Sequence, residues 1–137
     1  MGVPTVLFVC VHNAGRSQIA EALFNAYAGG AAQAVSAGTE PVQALNLNVV
    51  AVMREAGYDI ASQRPKLLTP EMVDAADHVI TMGCAIDDPS CPAVVAEDDW
   101  GIDDPAIAPL PKVRQIRDEI ARRVRALLRE IGIEPVR

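Results

Sequence analysis

Six consecutive apolar residues, VLFVCV at positions 6–11, leave no polar side to turn toward water. A strand of this kind is stable only with both faces covered, as inside a parallel sheet sandwiched between helices. It is too short to span a bilayer and has no basic segment before it, so it reads as neither anchor nor signal peptide. Met1-Gly2 fails as a myristoylation signal because position 6 is Val instead of Ser or Thr.

The segments that follow have the rhythm such a sheet needs. After Gly15, residues 17–28 place Ile19, Ala20, Leu23, Phe24 and Tyr27 at helical spacing, and Gly29-Gly30 ends the run. A second strand is expected at 33–37 and a second helix at 46–56, closed by Gly57. Thr69-Pro70 suits the cap and first position of a third, shorter helix. HVITM at 78–82 is the third strand. Residues 84–111 are irregular and rich in Pro and Asp, with a fourth strand near 93–96. Val113, Ile116, Ile120, Val124, Leu127 and Ile131 then follow steps of three and four, predicting an amphipathic helix over 112–131. The sum is an α/β fold, a four-stranded parallel sheet flanked by helices, forming one domain over residues 1–137. Right-handed crossovers put the end of the first strand near the switch point where such sheets bind ligands.

Composition narrows the function. A net charge of −6 lacks the basic surface that nucleic acid requires. Three cysteines, Cys10, Cys84 and Cys91, are an odd set for a disulfide-stapled secreted scaffold and suit a reducing cytoplasm. No membrane partner is expected, and the chain is expected to act as a monomer.

Cys10 closes the first strand, and the next helix starts near Ser17. Between Cys10 and Arg16 lie Val11, His12, Asn13, Ala14 and Gly15, whose amides can converge on one centre beside a helix N-terminus. Gly15 is expected to take the positive φ of such an anion nest. Arg16 adds a fork matching two oxygens of a tetrahedral oxyanion. The lysine of a nucleotide-binding GxxxxGK[ST] loop is missing. A cysteine at a strand end is ordinarily a small buried hydrophobe. Here the Cys-x5-Arg-Ser spacing reverses that, since a helix N-terminus and an arginine favour the thiolate, and Ser17 can donate to it. Thiolate and anion cradle together suit attack on a phosphorus- or arsenic-centred oxyanion. His12 either polarises the loop or fills space beside it, and the second is favoured.

The segment VLFVCVHNAGRSQIAEALF resembles the active-site loop of the low-molecular-weight tyrosine phosphatase superfamily, and more closely the arsenate reductases built on that fold. SAGTEP after the second strand, TMGC, the CP at Cys91, and WGIDDPA extend the likeness along the chain. The resemblance implies that the Asp104-Pro105 dipeptide brings a general acid over the anion site, with Asp103 as a substitute. Asp98 and Asp99 are read as solvated loop surface. Phosphatases of this type follow the Asp-Pro with aromatic residues, whereas this chain has Ala106-Ile107. With one Trp, two Tyr and two Phe, it has little material to wall a phosphotyrosine ring, and arsenate fits better, with phosphate or sulfate as competitors.

The same resemblance gives the other two thiols a role. Cys10 attacks arsenate, Cys84 attacks Cys10 to release arsenite, Cys91 resolves the disulfide, and thioredoxin reduces the Cys84–Cys91 pair. The linker Asp87-Asp88-Pro89-Ser90 is turn-prone and polar, as that exchange requires. A zinc site using Cys84 and Cys91 with His78 or Cys10 does not have knuckle spacing, and no metal or cofactor is expected. Some thioredoxin-coupled relatives hold potassium behind the loop; Asn13, Glu21 and Ser36 match three of its ligands, but QRPKLL offers Lys66 in place of the aspartate. Lys66 is therefore expected to replace that cation, pairing with Glu21 and ordering Asn13, although an outward-facing lysine is an equal alternative. The arginines of the last helix are read as a solvated face with i,i+4 pairs. Three rivals remain: a low-molecular-weight phosphatase, a reductase that uses a small thiol such as mycothiol and needs only Cys10, and a non-enzymatic oxyanion sensor.

Overall fold

The computed structural model describes residues 2–83 and 98–137. Its elements are β1 (Thr5–Cys10), α1 (Arg16–Ala28), β2 (Gln33–Gly38), α2 (Leu47–Glu55), α3 (Pro70–Ala75), β3 (His78–Thr81), β4 (Asp98–Asp99) and α4 (Leu110–Glu130). The strands pair in parallel in the order β2-β1-β3-β4. From β1 the chain crosses first to one side and later to the other, so the end of β1 lies at the switch point of the sheet.

The unbroken apolar run of β1 is explained by what covers it. Val6, Phe8 and Cys10 face the larger core, which α1, α2 and α4 complete with Leu23, Phe24, Val52, Ile120 and Val124. Leu7 and Val9 face a smaller core with Ala37, Val79 and the α3 residues Met72 and Val73. Phe8 sits between Phe24 and Trp100, with ring centroids 5.9 and 5.5 Å away. Each large side chain buried this way contributes about 1.5–3 kcal/mol relative to exposure.

Local signals set the helix ends. Gly29 takes φ 57° after α1, Asn46 caps α2 through its side chain, and Thr69 caps α3 ahead of Pro70. Helix α4 begins two residues earlier than its periodicity predicts, because Pro109 serves as cap and Pro111 is tolerated in the first turn. Arg123 pairs with Glu119 at i,i+4, but Arg114 reaches Glu55 of α2 with two 2.9 Å bonds and Arg117 donates to the Val52 carbonyl. The arginine face thus ties α4 to α2 as well as facing water. No helix among the described residues is long and apolar enough to cross a membrane.

The fourth strand is described only at its end. Among the described residues it covers Asp98–Asp99, both exposed as the sequence reading expects; the strand expected at 93–96 lies outside the described residues, as do Cys84 and Cys91. Asp99 accepts from Thr81 Oγ1 at 2.7 Å and from the Gly83 amide at 2.8 Å, anchoring the chain as it leaves β3.

Candidate active site

The loop joining β1 to α1 is held from outside by its carbonyls. Those of Cys10, Val11, His12 and Ala14 accept from the amides of Thr39, Glu40, Val42 and Asn46. In a planar trans peptide the next N–H points the opposite way, so the amides of Val11, His12, Asn13 and Gly15 turn toward the loop's interior. The SAGTEP segment makes this possible: a β-carbon on Gly38 would lie 2.6 Å from the Val11 carbonyl oxygen and 3.0 Å from Asn13.

Cys10 Sγ sits inside this ring and is 2% exposed. Ser17 Oγ lies 2.8 Å from it and the Asn13 amide donates to it at 3.3 Å. The N-terminus of α1 adds a partial positive charge at the same place. This environment suits a sulfur that carries negative charge and attacks.

Asn13, and not Gly15, adopts the left-handed conformation, with φ 51° against −144° for Gly15. Asn tolerates that region because its side chain can bond locally. Gly15 is needed for space instead: a β-carbon there would lie 2.8 Å from Pro105 Cγ.

Arg16 is buried, and its Nη1 donates to the carbonyls of Met82 at 2.9 Å and Ile102 at 3.0 Å. Its Nη2 lies 3.8 Å from Asp104 Oδ2. Gly83, at φ 99°, leaves room for this arrangement, since a β-carbon there would come within 3.0 Å of Nη1. Asp104 accepts from the Ala106 amide at 3.0 Å, and Asn46 Nδ2 donates to the Pro105 carbonyl at 3.2 Å, fixing the dipeptide over the loop. Asp103 turns away: it pairs with Lys112 at 2.8 Å, and that hydrogen bond holds its carboxyl below the usual carboxylate range. It is poorly placed to replace Asp104.

Cys10, Arg16, Asp104 and Pro105, with His12 and Ala106, line a cavity of about 40 Å³. Among the described residues no Phe, Tyr or Trp is among its walls. A wider groove of about 460 Å³ opens beside it between Val42, Leu47 and Ala106. His12 Nδ1 lies 3.1 Å from the Glu40 carbonyl, so its ring braces the loop from outside.

Behind the loop, Glu21 accepts from Ser36 Oγ at 2.9 Å, and Lys66 Nζ is 3.7 Å from the same carboxylate oxygen. Lys66 reaches Asn13 through its backbone amide, 2.8 Å from Oδ1, and not through its ammonium. Two residues that sequence reasoning missed complete this region: Gln18 donates to Asn13, and Gln63 bridges Gln18 and Glu21. Glutamine has no spacing signature, and only the meeting of α1 with residues 63–66 exposes their role. Among the described residues, no group of three or more His, Cys, Asp or Glu side chains is arranged to hold a metal ion.

The sequence pattern of the family described as low molecular weight phosphotyrosine protein phosphatase matches residues 5–136. An arsenate reductase of Brevibacillus brevis is 37% identical over 124 residues, covering 88% of this chain and 91% of that protein. One from Bacillus licheniformis is 38% identical over 133 residues, covering 91% and 95%. Among solved structures, a thioredoxin-dependent arsenate reductase of Corynebacterium glutamicum superposes with a TM-score of 0.77 at 40% identity, over 95% of this chain and 62% of that longer one. An arsenate reductase in the phosphate-binding state gives 0.81 at 31% identity, over 95% and 100%.

Proposed function

The chain belongs to the low molecular weight phosphotyrosine protein phosphatase family, and from that premise we propose that it reduces arsenate to arsenite at Cys10, as a cytoplasmic, monomeric, single-domain enzyme of arsenic detoxification. The observation that carries this reading is the cavity of about 40 Å³ holding a thiol, an arginine and a carboxyl, with no Phe, Tyr or Trp wall among the described residues. A small inorganic oxyanion suits a space of that size.

Arsenate binds with its oxygens on the inward amides and the Arg16 guanidinium. The Cys10 sulfur attacks arsenic, and one arsenate oxygen leaves as water on a proton from Asp104, forming an S–As bond. Cys84 then attacks the Cys10 sulfur. The S–As bond breaks with its electron pair going to arsenic, As(V) becomes As(III), and a Cys10–Cys84 disulfide forms. Cys91 attacks Cys84, freeing Cys10, and thioredoxin reduces the Cys84–Cys91 disulfide. Two thiols supply the two electrons. Lys66 serves as the built-in cation of the Glu21–Ser36 site and replaces a bound potassium ion.

The test uses wild type, Cys84→Ser and Cys91→Ser with arsenate, thioredoxin and its reductase, following reductant consumption. Turnover in wild type and its loss in both variants are expected. Undiminished turnover in both would overturn the cascade. The open groove lined by Val42, Leu47 and Ala106 favours a second reading, hydrolysis of an organic phosphate whose apolar part lies there. Rapid aryl phosphate hydrolysis without arsenate reduction would establish it.

A further inference from the structure

Gln18 is fully buried in the first turn of α1, one residue beyond Ser17, so every polar atom of its side chain needs a partner. Its Nε2 lies 3.1 Å from the Asn13 carbonyl, 3.0 Å from Asn13 Oδ1 and 3.1 Å from the Arg64 carbonyl. Its Oε1 accepts from Gln63 Nε2. The amide group of Gln18 therefore grips the backbone and side-chain oxygens of Asn13, the one left-handed non-glycine among the described residues.

Those contacts determine which way Asn13 faces. Its Oδ1 receives two donors, Gln18 Nε2 and the Lys66 amide, the latter at 2.8 Å. Turning the Asn13 amide over would set an NH₂ group against both, at a side chain that is fully buried. Nδ2 is thus directed to Ser17 Oγ, 2.7 Å away, and donates to it. A hydroxyl has one hydrogen. With its oxygen accepting from Asn13, Ser17 directs that hydrogen to Cys10 Sγ at 2.8 Å.

We propose that Gln18 is a positioning residue for the nucleophile: by holding Asn13 in one orientation it makes Ser17 a donor to Cys10. The inference rests on Cys10 being the nucleophile of the reaction proposed above. The charged and titratable groups facing the sulfur are Arg16 from α1, His12 from the loop and Asp104 from the late loop. Glu21 and Lys66 lie behind Gln18 and Gln63. Substituting Gln18 or Gln63 by Met alters none of these charges.

The test follows alkylation of Cys10 by iodoacetamide against pH, read on the Cys10 peptide by mass spectrometry. Gln18→Met is expected to slow the reaction at neutral pH by about tenfold, the lower value of a hydrogen bond to a charged atom, and to move the profile to higher pH. Gln63→Met removes the bond to Gln18 Oε1 but leaves the donors on Asn13 in place, so its profile should stay with wild type. Gln18→Met profiles that match wild type, or equal effects in both variants, would overturn the proposal. Should Gln18→Met not fold, neutron diffraction from deuterated wild-type crystals decides. A Ser17 deuteron aimed at Cys10 Sγ supports the assignment, and one aimed at Asn13 refutes it. Neither readout uses arsenate, so a wild type inactive toward arsenate would overturn the functional reading alone.

Discussion

Gly15→Ala puts a single methyl group between the anion loop and the general-acid loop. Gly15, at φ −144°, is not left-handed, and what a side chain there would meet first is Pro105. The new carbon would lie 2.8 Å from Pro105 Cγ and 3.5 Å from Val49 Cγ2, where ordinary contact begins near 3.4 Å. Bringing the first distance to that limit requires a shift of about 0.6 Å. Gly15 is joined to α1 and Val49 is fully buried in α2, so the movement falls on Pro105 and on Asp104 beside it. A misplacement of about 1 Å can cost about a hundredfold in rate, so this one should lower kcat about tenfold, with a stability cost of about 1–3 kcal/mol for overpacking. Steady-state turnover with arsenate gives kcat and KM, and Cys10 alkylation reports whether the nucleophile is intact. Adding Pro105→Ala removes the atom that clashes and should recover most of the loss. A kcat within about twofold of wild type, or damage that also abolishes alkylation and persists in the double variant, would refute the steric argument.

Asp104→Asn should lower kcat by about a hundredfold while Cys10 alkylation persists, as loss of a general acid requires. The proposed role of Lys66, whose ammonium lies 3.7 Å from Glu21, predicts that replacing sodium chloride by potassium chloride leaves wild-type turnover unchanged; strong stimulation would oppose that role. Asp99→Ala strips the acceptor from Thr81 Oγ1 and the Gly83 amide, and urea unfolding should register a loss of about 1–3 kcal/mol. The hydrogen bond from Arg114 holds Glu55 below the usual glutamate range. A carboxyl lowered in the folded state contributes stability that is present above its unfolded range and lost as pH falls through the folded value. The Tm of wild type should therefore fall more steeply with acidification than that of Glu55→Gln, and parallel curves would show the pair to be inert.

What was legible in the chain was whatever the backbone period or a local motif encodes. The unbroken run at 6–11 announced a strand covered on both sides, and the spacing from Val113 to Leu127 announced α4. Cys-x5-Arg-Ser located the loop because all its parts are neighbours in sequence. The described part of β4 is two aspartates, whose place in the sheet comes from β3 and the Thr81 hydroxyl, not from β propensity. Conformational freedom predicts Gly15 as the left-handed residue, whereas Asn13 takes it with five hydrogen bonds, four to neighbours three to five residues away and one from the distant Lys66 amide. Side chains that act by meeting across the fold leave no periodic trace.

An arginine free in solvent surrenders rotamer freedom of about 2 kcal/mol when an anion fixes it. Arg16 has already made that sacrifice during folding, because the Met82 and Ile102 carbonyls hold Nη1 before any ligand arrives. Its remaining N–H groups await the oxyanion like a socket of fixed gauge. Calorimetry of phosphate binding should then show little entropic penalty from this side chain. Lysine at position 16, with a single ammonium to serve both carbonyls and ligand, would have to abandon one to reach the other.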